Sequence, residues 1–254
     1  MLRLLLLSLF FYTAYSQSVC DMNTLNNYGS YNYSTKTFTL TQNLASISIT
    51  STGNSPFYDC YIEQDQTYTL TISDDVTTIT NNAFYRGQVE TINFGNSLTS
   101  IGNAAFFRNQ ITSVTIPDSV TSIGNSAFNN NQLTSVIIGN SVTSLGIHAF
   151  SYNQLTSVTI GNSLTSIGNA AFYNNQITSV DFDDPNLNLA IGIQVFAGNP
   201  LTKVRASGSW LMYKIVGLLN VQNADVAASH LTILDDASCS ELQSTYLTNE
   251  CQCV

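Results

Sequence analysis

Charge is what this sequence most lacks. Of 254 residues 9% are charged, with 7 Lys+Arg against 16 Asp+Glu and a formal net charge of −9, where an ordinary globular domain carries about 25% charged residues. No basic block is present, which argues against nucleic acid as a partner, because neutralising phosphates needs clustered Lys and Arg. Histidine is almost missing: His148 and His230 are the only two, and neither has an acid at motif spacing. No Gly-x-Ser-x-Gly, P-loop, His-Glu-x-x-His or dinucleotide fingerprint occurs. The chain therefore offers no catalytic residues and calls for no cofactor. Beyond the N-terminus no run approaches the ~18 apolar residues that a membrane-spanning helix needs. The five cysteines, Cys20, Cys60, Cys239, Cys251 and Cys253, all avoid the middle of the chain. They have no histidine placed to complete a zinc set.

What is present begins with a leader. Met1 to Ser16 reads MLRLLLLSLFFYTAYS, with one basic residue, a short apolar run and the small-x-small sequence Ala14-Tyr15-Ser16. The expectation is a secretory signal peptide over 1–16, with Gln17 as the new N-terminus; an uncleaved membrane anchor is the alternative. In an oxidising compartment the cysteines read as staples: Cys20 with Cys60, and Cys239 with Cys251 or Cys253. The odd thiol implies an intermolecular bond or a truncated end. Cys251-Gln252-Cys253-Val254 formally matches a prenylation box, but that chemistry is cytosolic. Asn32-Tyr33-Ser34 is the single Asn-x-Ser/Thr sequon, which makes Asn32 a candidate glycan acceptor.

The middle of the chain repeats itself. Phe84, Phe106, Phe128, Phe150 and Phe172 recur at steps of 22, and a fixed period in this range marks a solenoid. The modules run Gln66–Gly87, Gln88–Asn109, Gln110–Asn131, Gln132–Asn153 and Gln154–Asn175. A sixth, Gln176–Asn199, carries two extra residues, and a seventh fades after Pro200. Stacking them aligns Val89, Ile111, Leu133, Leu155, Ile177 and Leu201, then Ile92, Val114, Val136, Val158, Val180 and Val204. Phe94, Ile116, Ile138, Ile160 and Phe182 form a third column. The last two columns are two residues apart, which is strand spacing. Each module is expected to hold one short strand, such as Ser157-Val158-Thr159-Ile160, paired in parallel with its neighbours about 4.8 Å away. Gly161-Asn162-Ser163 and the Gly102, Gly124, Gly146, Gly168 column are expected to turn the chain. The Asn109, Asn131, Asn153, Asn175, Asn199 column is expected to bond adjacent backbone. The expected organisation is leader 1–16, N-terminal cap 17–65 with strands near Thr37–Leu40 and Ile47–Ile49, solenoid 66–204, and C-terminal cap 205–254. In that last segment Trp210 would plug the final coil, and a short helix would carry Leu242, Tyr246 and Leu247.

The segment ITSVTIPDSVTSIGNSAFNNN, Ile111 to Asn131, resembles the BspA-like, Treponema pallidum-type leucine-rich repeat, Leu-x-x-Val/Ile-x-Ile-Pro-x-x-Val-x-x-Ile-Gly-x-x-Ala-Phe. The resemblance covers roughly Gln66 to Val204. It departs in a module one residue shorter than the common length and in Asn where that family often has Cys. It implies a right-handed coiled solenoid with parallel strands on one face, secreted or surface-displayed, adhesive, and without catalytic residues.

Two places invite ligands. Asp181, Asp183 and Asp184 cluster in the irregular sixth module. Carboxylates suit Ca²⁺, but the spacing lacks an EF-hand's later Glu, so a solvated loop is the expected role and no metal is assigned. The outward strand positions Ser113, Thr115, Ser135, Ile137, Ser157, Thr159, Ser179 and Asp181 form an almost uncharged hydroxyl surface, flanked by Thr112, Thr134, Thr156 and Thr178. A second Thr/Ser pair, such as Thr143-Ser144, repeats elsewhere in each module. The expected function is non-enzymatic recognition of an extracellular protein or surface glycan through the strand face. The alternative is a structural or ice-active protein using the regular Thr rows.

Overall fold

The computed structural model describes residues 27–42, 67–161, 163–182 and 189–206, together with short strands at 18–19, 60–61 and 232–233. Its strands in chain order are β1 (Ser18–Val19), β2 (Gly29–Asn32), β3 (Thr37–Leu40), β4 (Cys60–Tyr61), β5 (Tyr68–Ile72), β6 (Thr78–Ile79), β7 (Val89–Asn93), β8 (Ser100–Ile101) and β9 (Ser113–Thr115). They continue with β10 (Ser122–Ile123), β11 (Ser135–Ile137), β12 (Ser144–Leu145), β13 (Ser166–Ile167), β14 (Ser179–Phe182), β15 (Ala190–Ile191), β16 (Lys203–Ala206) and β17 (Thr232–Ile233). No helix occurs among the described residues.

The architecture is the anticipated parallel-strand solenoid of 22-residue coils, with one addition. Each regular coil contributes a second strand of only two residues, and these form an unbroken six-stranded sheet in the order β15-β13-β12-β10-β8-β6. Its register is regular: Ser100, Ser122, Ser144 and Ser166 lie opposite one another on successive rungs. The anticipated strand face is less regular. It divides into β2-β3-β5-β7, β9-β11 and β14-β16-β17. The stretch Ser157–Ile160, expected as a strand, is reduced to a single bridge between Ile137 and Thr159. The hairpin β2–β3 joins its sheet with β3 parallel to β5, so Phe38 and Leu40 enter the core with no exposure.

The core is built from rows. Phe84, Phe106, Phe128, Phe150, Phe172 and Phe196 stack ring on ring at 5.2–5.5 Å, a spacing that one ring per coil imposes. The Val89–Leu201 row and the Ala105, Ala127, Ala149, Ala171 row are buried beside them. Alanine is small enough to leave room for the phenylalanine next to it.

The turn glycines act differently from expectation. None of Gly102, Gly124, Gly139, Gly146, Gly161 or Gly168 has positive φ. Instead, a Cβ on Gly102 would lie 2.6 Å from the Asn81 amide nitrogen, and one on Gly139 2.5 Å from the Pro117 carbonyl oxygen. These glycines let neighbouring coils approach. The left-handed corners fall elsewhere, two per coil: Asn82, Ala104, Ser126, His148, Ala170 and Gln194 at φ 51–58, and Arg86, Arg108, Asn130, Tyr152 and Asn174 at φ 54–60. Among the described residues only Gly198 meets this requirement with glycine. Left-handed backbone costs a non-glycine residue about 1–2 kcal/mol. Ala104→Gly is therefore expected to raise stability by up to about 1 kcal/mol after the entropic cost of glycine. An unchanged urea midpoint would count against strain at this corner.

Candidate functional site

The strand face places its predicted residues together. Ser113, Thr115, Ser135, Ile137, Ser157, Thr159 and Ser179 are all exposed, because they alternate with the buried Val114, Val136, Val158 and Val180. Ser113 pairs across the ladder with Ser135, and Thr115 with Ile137. Asp181 continues the row on β14, opposite Arg205 in backbone register. Ile137 is 54% exposed in the middle of the hydroxyls. None of the six Ser and Thr hydroxyls in this set is tied to another group among the described residues.

Thr134 and other threonines beside the strands have a different job. Thr134 Oγ1 donates to the Thr112 carbonyl at 3.3 Å, and Thr202 Oγ1 to that of Thr178 at 3.2 Å. On the other sheet Thr99, Thr121, Thr143 and Thr165 each donate to the threonine carbonyl one coil earlier, at 2.8–3.1 Å. Each of these carbonyls also accepts the backbone N–H of the same threonine, so the hydroxyl adds a second donor between rungs and is engaged there. The neighbouring Ser100, Ser122 and Ser144 are not so engaged. With Gly102, Gly124 and Gly146 they line an open groove of about 530 Å³. Sequence reading noted this Thr/Ser pair but had no signal for the groove, which exists only because the two-residue strands align.

Asparagines hold both edges. Asn131, Asn153 and Asn175 each accept the backbone N–H of the residue twenty positions earlier and donate to phenylalanine carbonyls of two coils. A second ladder runs Asn81–Asn103–Asn125. Each Oδ1 accepts the amide one coil on, ending with the Ile147 N–H at 2.8 Å. Ile147 has no acceptor to offer the next rung and is itself 44% exposed. The ladder resumes where Asn169 accepts the Ile193 N–H at 3.0 Å. Ile147→Asn is expected to give the Asn169 amide a partner and to raise stability by about 0.5–1.5 kcal/mol. A fall in the urea midpoint would show that the isoleucine is packed against something the ladder does not need.

His148 lies 2.9 Å through Nδ1 from Ser151 Oγ. This is not a nucleophile and its base. Ser151 is fully buried, and its one hydroxyl proton goes to the Ala170 carbonyl at 2.6 Å. The histidine must therefore donate to Oγ rather than accept from it. Among the described residues there is no group of three or more His, Cys, Asp or Glu able to hold a metal, and no helix long and apolar enough to cross a membrane. Asp183, Asp184, His230, the leader, the 47–49 strand, Trp210, the C-terminal helix and Cys20, Cys239, Cys251 and Cys253 lie outside the described residues. Cys60 is placed only by its backbone on β4.

A family profile described as the BspA type leucine rich repeat region matches in six copies, over residues 8–86 and 77–203. No curated protein matches the chain. Among solved structures, a leucine rich cell surface protein from Faecalibacterium prausnitzii is 25% identical with a TM-score of 0.49, over 69% of this chain and 52% of that one. A leucine-rich repeat protein from Bacteroides ovatus is 22% identical with a TM-score of 0.32, over 58% and 51%. One from Eubacterium ventriosum is 16% identical with a TM-score of 0.34, over 69% and 75%. The chain spans about half the length of the first two. The matched copies take in the phenylalanine stack, the small-residue contacts between coils and both sheets, and the chain belongs to the BspA-type leucine-rich repeat family.

Proposed function

We propose that this protein is a secreted or cell-surface recognition solenoid that binds an extracellular protein or surface glycan without catalysis. The observation that carries this reading is the division of labour among hydroxyls. One set is consumed in holding coils together. The other, on Ser113, Thr115, Ser135, Ser157, Thr159 and Ser179, is exposed and bonds to no group among the described residues. Hydroxyls repeated on successive rungs offer many weak, directional contacts to a long partner, and affinity then accumulates over several coils. The ice-active alternative is less well served, because the strand face is three ladders and not one flat array.

The test is binding of the secreted chain to immobilised matrix proteins and to glycan arrays. Ser135, Ser157 and Thr159 replaced together by Lys is expected to weaken any hit by 100-fold or more, about 2.7 kcal/mol, with the urea midpoint unchanged. A second reading is favoured by the open groove over the Ser100, Ser122 and Ser144 row. Loss of binding on Ser122→Lys with Ser144→Lys, while the strand-face triple variant binds normally, would transfer the site there.

A further inference from the structure

We infer that Asn32 is an N-linked glycan acceptor whose sugar shields the outer strand of the N-terminal sheet. Asn32 is the last residue of β2 and is exposed, as are residues 33–36 of the hairpin tip that follows. Three donors converge on its side-chain oxygen. The Ser34 hydroxyl donates to Oδ1 at 2.7 Å, the Ser34 N–H at 3.0 Å and the Thr35 N–H at 3.3 Å. All three partners lie within three residues in sequence, so the arrangement needs only this segment and can form before the solenoid closes.

The chemistry follows from that convergence. Hydrogen bonds to Oδ1 draw electron density from the amide and make the Nδ2 protons easier to remove. Nδ2 itself points to no protein acceptor among the described residues. The step is attack of Nδ2 on the anomeric carbon of a sugar carried by a polyprenyl pyrophosphate. A carbon–nitrogen bond forms, the anomeric carbon–oxygen bond breaks, the lipid pyrophosphate leaves, and one Nδ2 proton passes to a base of the transferase. The side-chain hydroxyl of Ser34 is the sequon element that this geometry requires.

The position also gives the sugar a role. In its sheet β2 is the outermost of the described strands and pairs with β3 alone among them. An outermost strand is where another chain's strand would add. Tyr33, 64% exposed and edge-on to Tyr31 at 4.9 Å, adds apolar surface at the same tip. A glycan on Asn32 stands over both.

The experiment expresses the full chain with its own leader in a eukaryotic secretion host and maps the peptide carrying Asn32 by mass spectrometry. The expected result is an endoglycosidase-sensitive glycan on Asn32 in the wild type, lost in Ser34→Ala and kept in Ser34→Thr. An unmodified Asn32 in the secreted wild type overturns the proposal, and so does full occupancy in Ser34→Ala. In the second arm, native wild type treated with endoglycosidase is followed by light scattering. Growth beyond the monomer supports shielding; a deglycosylated chain that stays monomeric at the same concentration removes that role. The first readout needs no variant to fold, and its failure leaves the strand-face binding site untouched.

Discussion

Replacing Asn153 by alanine is expected to destabilise the solenoid by about 2–5 kcal/mol, since each buried backbone group left without a partner costs about 1–3 kcal/mol. Asn153 is 7% exposed. Its Oδ1 accepts the Leu133 N–H at 3.1 Å, and its Nδ2 donates to the carbonyls of Phe128 and Phe150, both at 3.0 Å, and of Ser151 at 3.2 Å. One side chain thus satisfies donors and acceptors from two coils at a corner where strand pairing has stopped. The isosteric Asn153→Asp is the sharper test. A carboxylate can still accept from Leu133 but meets the carbonyl oxygens lone pair to lone pair, in a site that also penalises charge. Burial and the facing carbonyls raise the pKa of the introduced Asp in the folded state. Its neutral form, which can donate once, is therefore favoured as pH falls, and this variant should lose less stability in acid than at neutral pH. The check is urea unfolding at both pH values, with exposed Gln132→Ala as a control expected to shift stability by no more than about 0.5 kcal/mol. If Asn153→Ala matched that control, the asparagine row would not be holding the coils.

Phe128→Ala is expected to cost about 3–5 kcal/mol, the usual range for emptying a phenylalanine site. Phe128 has no exposure and lies between Phe106 at 5.2 Å and Phe150 at 5.3 Å. Relaxation is difficult here, because each neighbouring ring is held by its own coil and cannot slide into the void without breaking register. The location should also change the form of the transition. A repeat array is coupled only through nearest neighbours, so a cavity at its centre weakens communication between the two halves. The variant is expected to unfold with a lower denaturant slope or in two steps, where the wild type shows one. A loss below about 1 kcal/mol would mean that the phenylalanine stack contributes little to holding the coils together.

The two variants probe features with different visibility in sequence. The phenylalanine and asparagine rows were legible because a strict period places equivalent residues in equivalent surroundings. Once Phe106 is assigned inward, Phe128 and Phe150 must follow. The exposed strand-face positions were legible for the same reason, through the alternation of Ser113, Val114 and Thr115. Corrections arose where a contact joins residues of different coils without a residue-type signal. Gly102 looks like a turn residue, yet it is small because the Asn81 amide lies against it. The left-handed corners at Ala104, Ser126 and Arg108 carry residue types that signal no such backbone, and they are held there by hydrogen bonds to the next coil, such as that from the Ala104 N–H to the Asn125 carbonyl at 2.7 Å. A strand of two residues, as in Ser122–Ile123, is too short to show alternation at all.

By itself the sequence determined the repeat, its length, the inward rows and the family, because these depend on side-chain type at a fixed spacing. The tertiary structure decided which hydroxyls are spent between rungs and which face solvent, where the strand face breaks, and that a second sheet with a groove exists. The physical reason is that a hydroxyl looks the same in sequence whether it donates to a carbonyl one coil away or to water, and only the stacking of coils settles which.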